Sequence, residues 1–472
     1  MRPTERITRR RFLVLASTLT GAVAGLGLVA GCQPAATPAP AQPAAPQSTA
    51  APAAKTKVSE LSMILFDNYW TASLNEMLKK YQQEKGVTVT WENPPLAGFY
   101  QRQMSLSLAK EKKPDILAFN DTVLSQYASQ GMIAPLDDYL KDPNLTGADY
   151  NWTEFTDQTR KAASWSKDFS AQGKTYALPI ELATWAYFYR SDLIDKPPET
   201  WTEFMEIAKQ FTKSINPKSP TEYGTAFHAK ALPMTYKEWY AWLWAYGGDI
   251  FDAKLQPVLN SAQAVKSLED QYGLAVKFKA VPPDTATYDD AAKTAAFQNG
   301  LFPQALHWTH QYPVYLDATK SPKLAGKVKY AMVPGMPGSD GKVKRFPYAQ
   351  QWMLGLNPNG ERKEDAFKFI AWLTSPKGVL AWAQAGYVGV IRPSVLKDPE
   401  MQKKMPDFVV RLAAVAIGRY GPTYIPEYAQ IADSELLPAL SQVIAGSKSA
   451  KAALDGVNEK ATAIMKTAGY IK

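Results

Sequence analysis

The chain has 472 residues, more than a single hydrophobic core usually organises, so its folded body is expected to form two lobes. The formal net charge is +9, but five arginines and one glutamate among the first 31 residues leave only +5 for the rest. This moderate excess, without a basic stripe, argues against a nucleic-acid partner. A single cysteine excludes a disulfide framework and a cysteine-based metal site.

The first 31 residues have the pattern of an export signal. Residues 8–14 resemble a bacterial twin-arginine signal, and an apolar run continues to residue 30. Val29-Ala30-Gly31-Cys32 resembles a lipobox, where a peptidase cleaves before the cysteine and its thiol carries lipid. The alternative, an uncleaved membrane anchor, is disfavoured by the glycines and polar residues within the apolar run. The pattern predicts an extracytoplasmic protein, lipid-anchored through acylated Cys32 to the outer face of the cytoplasmic membrane.

Residues 33–57 have the composition of a tether. They are almost entirely Pro, Ala, Gln, Ser and Thr, which cannot bury enough apolar surface to fold. Such a segment is extended, at about 3 Å per residue in its proline-rich parts. It is therefore expected to hold the body away from the lipid surface.

The beginning of the body alternates between strand and helix patterns. Strands are predicted at 61–66, 87–91 and 114–120, with helices at 70–84 and 99–110 between them. This order predicts an α/β fold with mostly parallel sheets and helices on both faces. Ligands of such sheets bind beyond the carboxyl ends of the strands, so Asp67, Asn68, Asn120 and Asp121 are candidate hydroxyl-binding residues.

The sequence carries aromatic clusters and lacks the short motifs of common enzymes. It contains no nucleophile elbow, no phosphate-binding loop and no dinucleotide fingerprint. A hydrolase with two carboxylates, such as Asp121 and Glu181, needs no short motif and stays open. The chain has 13 tryptophans, with aromatic clusters around Trp185 and Trp239. Most aromatic residues at such spacing belong to cores, but this number also favours a pocket for a sugar.

Several segments follow one family pattern. Within residues 114–140 a helix ends at Gly131 before a Pro-Leu-Asp turn, and residues 173–194 contain Tyr-x-x-Asp-Leu near their end. Residues 197–204 contain Pro-x-Thr-Trp-x-Glu, where Thr200 or Thr202 can cap a helix. Segments 297–310, 327–375 and 436–454 continue the pattern, although Gln304 stands where methionine is customary. Together they resemble the family 1 extracellular solute-binding proteins, the substrate-binding lipoproteins of ABC sugar importers.

The resemblance implies a two-lobed periplasmic-binding-protein fold with a ligand cleft at the hinge between the lobes. It implies capture of a sugar or sugar-like solute by hinge closure and delivery to the transmembrane subunits of an ABC importer, with no enzymatic activity and no cofactor. The protein is expected to be a monomer. The predicted domains are a signal at 1–31, the lipidated cysteine and tether at 32–57, lobe 1 at 58–170 plus 328–375, and lobe 2 at 171–327 plus 376–472.

The remaining candidate residues come from loop positions and the resemblance. Arg392 lies in a loop that the family brings to the cleft, and the alternative is a salt-bridged surface arginine. His307 and His310, at i and i+3 of a helix, have the spacing for zinc, but the sequence displays no third ligand, so a histidine bonded to a ligand hydroxyl is favoured and no metal is expected. The candidate ligand-binding residues are Asp67, Asn68, Asn120, Asp121, Glu181, Trp185, His228, Trp239, His307, Trp308, Tyr348, Gln351, Trp352, Arg392 and Tyr424.

One other class of protein stays open beside solute binding. The chain has the features of an envelope-anchored carbohydrate-active hydrolase, or of a twin-arginine-exported protein that folds around a cofactor in the cytoplasm. Export in the folded state would explain a twin-arginine leader, which an ordinary binding protein does not require.

Overall fold

A computed structural model describes residues 60–169 and 173–472. The predicted export signal, Cys32 and the tether lie outside these residues. The strands are β1 Glu60–Ile64, β2 Thr88–Glu92, β3 Ile116–Asn120, β4 Ser164–Trp165, β5 Lys174–Thr175, β6 Leu178–Arg190, β7 Gln304–Trp308, β8 Val328–Ala331, β9 Met336–Pro337, β10 Val343–Lys344 and β11 Ala349–Leu356.

The helices outnumber the strands. They are α1 Thr71–Lys85, α2 Phe99–Leu108, α3 Asp121–Ser129, α4 Asp137–Lys141, α5 Pro143–Thr146, α6 Asp157–Ala162, α7 Trp201–Gln210, α8 Met234–Ala245, α9 Ala262–Val276, α10 Asp290–Gln298, α11 Tyr312–Leu316, α12 Lys363–Thr374, α13 Pro376–Gln384, α14 Pro393–Leu396, α15 Pro399–Lys404, α16 Phe408–Ile417, α17 Tyr428–Gln430, α18 Leu437–Ile444 and α19 Ala450–Thr467. Single 3₁₀ turns lie at Trp152–Glu154, Thr285–Thr287 and Thr309–Gln311, and a π-helical turn at Ile431–Leu436.

The predicted strands and helices at the start of the body are confirmed, and they build the first half of a mixed sheet. Its strand order is β2-β1-β3-β11-β6, continuing into β7 and β8. β1 pairs in parallel with β2 and β3, whereas β11 runs antiparallel to both β3 and β6. The α/β class is confirmed, but the sheet is mixed rather than mostly parallel. The reason is that β11 brings the chain back from the second lobe and so enters the sheet from the opposite end.

The second lobe is built around the far half of β6. Residues 185–190 pair antiparallel with β7 and β8. Helix α8 is buried on every side from Thr235 to Ala245, which explains why its sequence is so rich in aromatic residues. Thr200 caps α7 as predicted, since its side chain accepts a hydrogen bond from the Glu203 N–H at 3.2 Å.

Hydrophobic packing divides the chain at other positions than predicted. One core contains buried residues from 61–182 and 349–415, and two adjoining clusters take theirs from 183–348 and 425–465. We name these groups lobe 1 and lobe 2. The prediction placed 328–375 in lobe 1 and 376–472 in lobe 2. It is corrected because β8 pairs with the lobe 2 half of β6, while Trp382 and Tyr387 pack in the lobe 1 core.

Within 60–169 and 173–472, no helix combines the length and the apolar character needed to cross a membrane.

Candidate functional site

Three chain passages connect the lobes. β6 leaves the lobe 1 core after Leu182, and β11 begins beside it, where Tyr348 belongs to the lobe 2 core and Ala349 to the lobe 1 core. The third passage runs through residues 416–424, and its Arg419 forms an isolated bridge to Tyr348. We call residues 181–184 of β6 and 349–352 of β11 the hinge ribbon. Any closure of the lobes must bend this ribbon.

The two faces of the hinge ribbon carry different side chains. Glu181 lies opposite Trp352, and Ala183 lies opposite Gln350. Side chains directly opposite each other on antiparallel strands project to the same side, so these four define the front face. The back face carries the alternate side chains, those of Leu182, Thr184, Ala349 and Gln351.

Both lobes contribute to a polar contact at the front face. Tyr69, in the loop after β1, donates its hydroxyl to Glu181. His310, from the turn after β7 in lobe 2, stacks on the Tyr69 ring at a centroid distance of 4.6 Å, and its Nδ1 lies 3.6 Å from the same carboxylate. Burial, followed by the charge of Glu181, raises the pKa of the Tyr69 phenol, which therefore stays a neutral donor.

Asp121 is a buried carboxylate at the end of β3, beside the ribbon. Its Oδ1 accepts the Gln351 N–H at 2.9 Å, whereas Oδ2 has no hydrogen-bond partner among the described residues. Burial raises the pKa of the Asp121 carboxyl to about 7, against the opposing effects of that N–H and of Lys237. Sequence reasoning nominated Asp121 as a hydroxyl-binding residue from its position after a parallel strand, and it stays a candidate.

Lys237 is a buried lysine of lobe 2 that contacts the hinge ribbon. It lies in the first turns of α8, is 3% exposed, and donates to Gln350 Oε1 at 2.6 Å. Its ammonium group lies 5.9 Å from the centre of the Tyr348 ring. Burial lowers the pKa of Lys237, and the carboxylate of Asp121 opposes that shift.

A closed ion network lies deeper in lobe 2. His228 bonds Glu238 through Nδ1 at 2.6 Å and Asp290 through Nε2 at 2.8 Å, and Lys293 lies 2.9 Å from Glu238. Burial and Lys293 oppose protonation of His228, but the two carboxylates outweigh them and raise its pKa. Both ring nitrogens of His228 are therefore bonded within the protein core.

His307 faces this network from β7. The ligating atoms of His228, Asp290 and His307 lie within 4.8 Å of one another, a spacing compatible with a metal ion. Both nitrogens of His228 are already bonded to carboxylates, and the Lys293 amine lies in the same network, which disfavours a metal ion there. His307 lies on strand β7 and His310 in a 3₁₀ turn, so the prediction that both lie on one helix is wrong. The sequence could not show this, because a run of five buried residues is compatible with either a strand or a helix.

Several candidates from the loops after strands have local structural roles. Asp67 accepts a hydrogen bond from the Thr71 hydroxyl, and Asn68 accepts one from the Tyr69 N–H. Both side chains are exposed and lie at the start of α1. Asn120 caps α3 through the Thr122 N–H at 3.1 Å. These three were predicted as ligand contacts, and in the structure one side-chain oxygen of each accepts a hydrogen bond at a helix start.

The predicted tryptophans mostly pack in cores. Trp185 and Trp308 stack at 3.9 Å in the lobe 2 core, and Trp239 donates to Ser267 there. Trp352 packs against Phe66 at the front face. Aromatic residues suit pockets and cores equally by composition, which explains why sequence alone did not separate them.

Arg392 and Gln351 also form hydrogen bonds within the protein. Arg392 is fully buried in lobe 1 and donates to the carbonyls of Tyr150, Asn151 and Thr374 and to Glu154. Both its predicted place in lobe 2 and its predicted ligand contact are therefore corrected. Gln351 projects to the back face, where it accepts from the Tyr420 hydroxyl and donates to the Thr159 carbonyl.

The back face opens into a cavity of about 580 Å³ between the lobes. Gly418 and Tyr420, which line it, pack against Thr184, Ala349 and Gln351. Tyr424 is the single candidate residue in its lining, and it is 42% exposed. The cavity and the front-face polar cluster are thus on opposite sides of the ribbon. The front face is the candidate solute site, because Tyr69, Glu181 and His310 from the two lobes meet there.

Three residues near the front face are not among the candidates nominated from the sequence. Tyr69 directly follows the candidate Asn68, Lys237 stands among buried aromatic residues of α8, and Gln350 precedes the candidate Gln351. The usable signal was Lys237, because a lysine within a run of core aromatic residues is rarely buried without a function or a partner.

The chain belongs to the bacterial extracellular solute-binding protein family, whose model matches residues 68–380. A probable amino-acid ABC transporter periplasmic-binding protein of Sinorhizobium fredii is 26% identical over 286 residues, which cover 59% of this chain and 60% of the relative. The maltotriose-binding protein of Pyrococcus abyssi is 24% identical over 322 residues, which cover 67% of this chain and 62% of the relative. The matches thus span less than two thirds of these two relatives.

A solved structure has the same fold. The ABC transporter solute-binding protein from Agrobacterium radiobacter, in complex with ribitol, superposes with a TM-score of 0.74 at 24% identity, covering 86% of this chain and 98% of that one. The family prediction and the two-lobed fold are confirmed. Membership of a solute-binding family weighs against the hydrolase alternative.

Proposed function

We propose that this protein captures a sugar or sugar alcohol outside the cytoplasm and delivers it to the transmembrane subunits of an ABC importer. The observation that carries the proposal is a pair of buried polar atoms, one from each lobe, that have no hydrogen-bond partner among the described residues. They are Oδ2 of Asp121 in lobe 1 and Nδ1 of His310 in lobe 2. Buried polar atoms are normally bonded, so a solute with several hydroxyl groups accounts for both.

The names of the relatives support this solute class. One is a maltotriose-binding protein, and one structural relative holds ribitol, both polyhydroxyl compounds. Hydroxyl groups both donate and accept, so they suit a site where a carboxylate lies beside a phenol and an imidazole. The Sinorhizobium relative is described as an amino-acid transporter protein, so amino acids belong in any test panel.

The proposed mechanism is hinge closure. Tyr69 and Glu181 from lobe 1 meet His310 from lobe 2 at the front face. A solute bonded to both sides stabilises the closed state by contacts that the open state cannot offer. No covalent step is needed for capture or delivery.

A thermal-shift panel on the purified full-length chain tests the proposed function. Polyols, monosaccharides, oligosaccharides and amino acids are compared; a ligand at 100 times its dissociation constant adds about 2.7 kcal/mol to the unfolding free energy. The proposal expects a shift with at least one polyhydroxyl solute, reduced in Tyr69→Phe and Glu181→Gln. The matched control Glu76→Gln, an exposed carboxylate on α1, keeps the full shift. A panel in which only amino acids stabilise the protein contradicts the proposal.

The signal at residues 1–31 and Cys32 determine where the protein is proposed to act. We infer export through the twin-arginine pathway and anchoring by lipid on Cys32, with the body acting as a monomer near the permease. Replacing Cys32 by serine is expected to move the protein from the membrane fraction to the soluble extracytoplasmic fraction. Replacing Arg9 and Arg10 by lysine is expected to retain it in the cytoplasm. Membrane association that survives the serine substitution would contradict the anchor.

A further inference from the structure

The cavity on the back face of the hinge ribbon has the size of a small-molecule site. Its volume is about 580 Å³, within the roughly 300–1,000 Å³ that such sites occupy. Lobe 1 contributes Trp165 to its lining, lobe 2 contributes Trp244, and the third passage between the lobes contributes Arg419. Among the described residues, those that line it include neither Tyr69 nor Glu181. The back cavity is therefore separate from the proposed solute site.

Aromatic rings from both lobes and from the third passage form much of the cavity wall. They include those of Trp165, Trp244, Phe251, Phe346, Tyr420 and Tyr424. Burial raises the pKa of the Tyr420 and Tyr424 phenols, so both rings are neutral. Trp165 donates its indole N–H to the Tyr424 carbonyl at 3.0 Å, a bond that joins lobe 1 to the third passage. Walls made of flat apolar rings suit a ligand that is itself aromatic.

The charged side chains of the wall are positive in sum. Lys161 and Arg419 are its basic side chains, and Asp249 is its acidic one. The Arg419 guanidinium lies 4.6 Å from the centre of the Trp244 ring and forms an ion pair with Asp249 through Nη2. Among the described residues, no acceptor is bonded to its Nε or Nη1. Arg419 thus keeps donors for a further acceptor.

A second donor of the wall is also without a partner. The indole N–H of Trp244 is buried and has no acceptor among the described residues. An indole N–H and a guanidinium can only donate hydrogen bonds. A wall with spare donors and a positive charge is complemented by a carboxylate, which accepts several hydrogen bonds at once.

We propose that the back cavity binds an aromatic carboxylate as a second, regulatory ligand of this protein. The ring of the ligand packs against the aromatic wall. Its carboxylate accepts hydrogen bonds from Arg419, and Lys161 adds a second positive charge. The same charges disfavour a cationic ligand.

The ligand of the back cavity is expected to be coupled to closure of the lobes. Both lobes line the cavity, so rotation about the hinge ribbon changes the fit of its ligand. The cavity is present while Tyr69 and His310 are in contact at the front face, so its ligand fits the closed arrangement. It should raise the affinity for the front-face solute, and the solute should raise its affinity by the same factor. This coupling rests on the proposed function, whereas binding at the back cavity does not.

Calorimetric titration of the full-length chain with naphthoate tests the site. Naphthamide is its uncharged match, with the same rings and no carboxylate. We expect naphthoate to bind at least about threefold more tightly than naphthamide, because only naphthoate is attracted by the two cations. Ala162→Trp places a large side chain in the cavity and should abolish binding of both compounds. Saturating naphthoate should raise the affinity for the best solute of the thermal-shift panel by about fivefold.

Charge variants of the wall should change naphthoate affinity in opposite directions. Arg419→Gln and Lys161→Met should each weaken it roughly 3- to 10-fold, whereas Asp249→Asn removes a competing carboxylate and should strengthen it by a similar factor. Lys218→Met changes an exposed lysine outside the cavity and is the control. The melting temperature of each variant verifies folding. If Arg419→Gln does not fold, Lys161→Met and Asp249→Asn decide.

Three results would overturn the back-cavity site. They are a failure of naphthoate to bind, equal affinities of naphthoate and naphthamide, and naphthoate affinities within twofold of wild type in all the charge variants. Competition between naphthoate and the solute would overturn it as well, because it would place naphthoate at the front face. A thermal-shift panel without a stabilising polyhydroxyl compound contradicts the proposed function alone, since naphthoate binding is measured without solute.

Discussion

At the scale of single residues, the contrast between Asp121 and Arg392 shows what decides function. Both are fully buried and charged, and sequence reasoning named both as ligand contacts. Arg392 donates four hydrogen bonds to protein acceptors, whereas Asp121 retains an oxygen without a hydrogen-bond partner among the described residues. A buried charge whose bonds are complete stabilises the fold, and one whose bonds are incomplete points to a ligand.

Arg392→Met is expected to destabilise the protein without changing solute affinity. The substitution leaves Glu154 and three backbone carbonyls without their donor, at a cost of about 3–5 kcal/mol in the free energy of unfolding. Arg102→Met, which removes an exposed ion pair with Glu92, is the control and should change stability by less than about 1 kcal/mol. Urea unfolding measures both. Lost affinity with unchanged stability in Arg392→Met would restore its predicted role in the cleft.

Asp121 also predicts how stability varies with pH. Its pKa is about 7 in the folded protein and about 3.9 in an unfolded chain, so the folded state holds the proton more tightly. Between these values, raising the pH ionises the unfolded chain first and lowers the stability of the fold. Asp121→Asn removes this penalty, so its stability relative to wild type should rise from pH 5 to pH 8, by about 3 kcal/mol. Equal pH profiles in urea unfolding would contradict the assignment.

At the scale of elements, the sequence predicted local structure better than packing partners. The bounds of β1, α1 and β3 agree with the predicted segments to within two residues, because their alternating and helical periodicities are strong. The lobe assignment of 376–415 was wrong, since periodicity tells which face of α13 is apolar but not which sheet it covers. Arg392 could not be placed for the same reason: its acceptors lie some 240 positions earlier in the chain.

Two glycines give a matched test of element packing. At Gly224 an added Cβ would lie 1.8 Å from the Ala208 carbonyl oxygen in α7, whereas at Gly273 in α9 nothing lies within 4 Å. Gly224→Ala should therefore destabilise the protein by more than about 1 kcal/mol. Gly273→Ala should stabilise it by about 0.5–1 kcal/mol through its higher helix propensity. Chemical denaturation of both variants is the measurement, and shifts of the same sign would contradict this packing of α7.

At the scale of the whole molecule, the hinge ribbon separates a front face that is closed from a back face that is open. Tyr69 and His310 are in contact at the front, while the cavity of about 580 Å³ lies at the back. Rotation about the ribbon that separates the lobes at the front must bring them together at the back. The cavity is thus a property of the closed arrangement.

Filling the back cavity should favour closure. Ala162 lines it, and Ala162→Trp adds a side chain that the closed arrangement accommodates and the open one crowds. We expect affinity for the solute to rise roughly 3- to 10-fold, because less free energy is spent on closing. Ala445→Trp, at an exposed position after α18, is the control and should leave affinity unchanged. Weaker binding in Ala162→Trp would contradict this account, because it would mean that the back cavity widens when the lobes separate at the front face.

The central claim is that a polyhydroxyl solute binds at the front face of the hinge ribbon, between the two lobes. The most direct measurement is a crystal structure of the full-length chain grown with the solute that gives the largest thermal shift. The account predicts solute density within hydrogen-bonding distance of Glu181, His310 and Asp121. Density in the back cavity, next to Trp244 and Tyr424, with the front face unchanged, would contradict it.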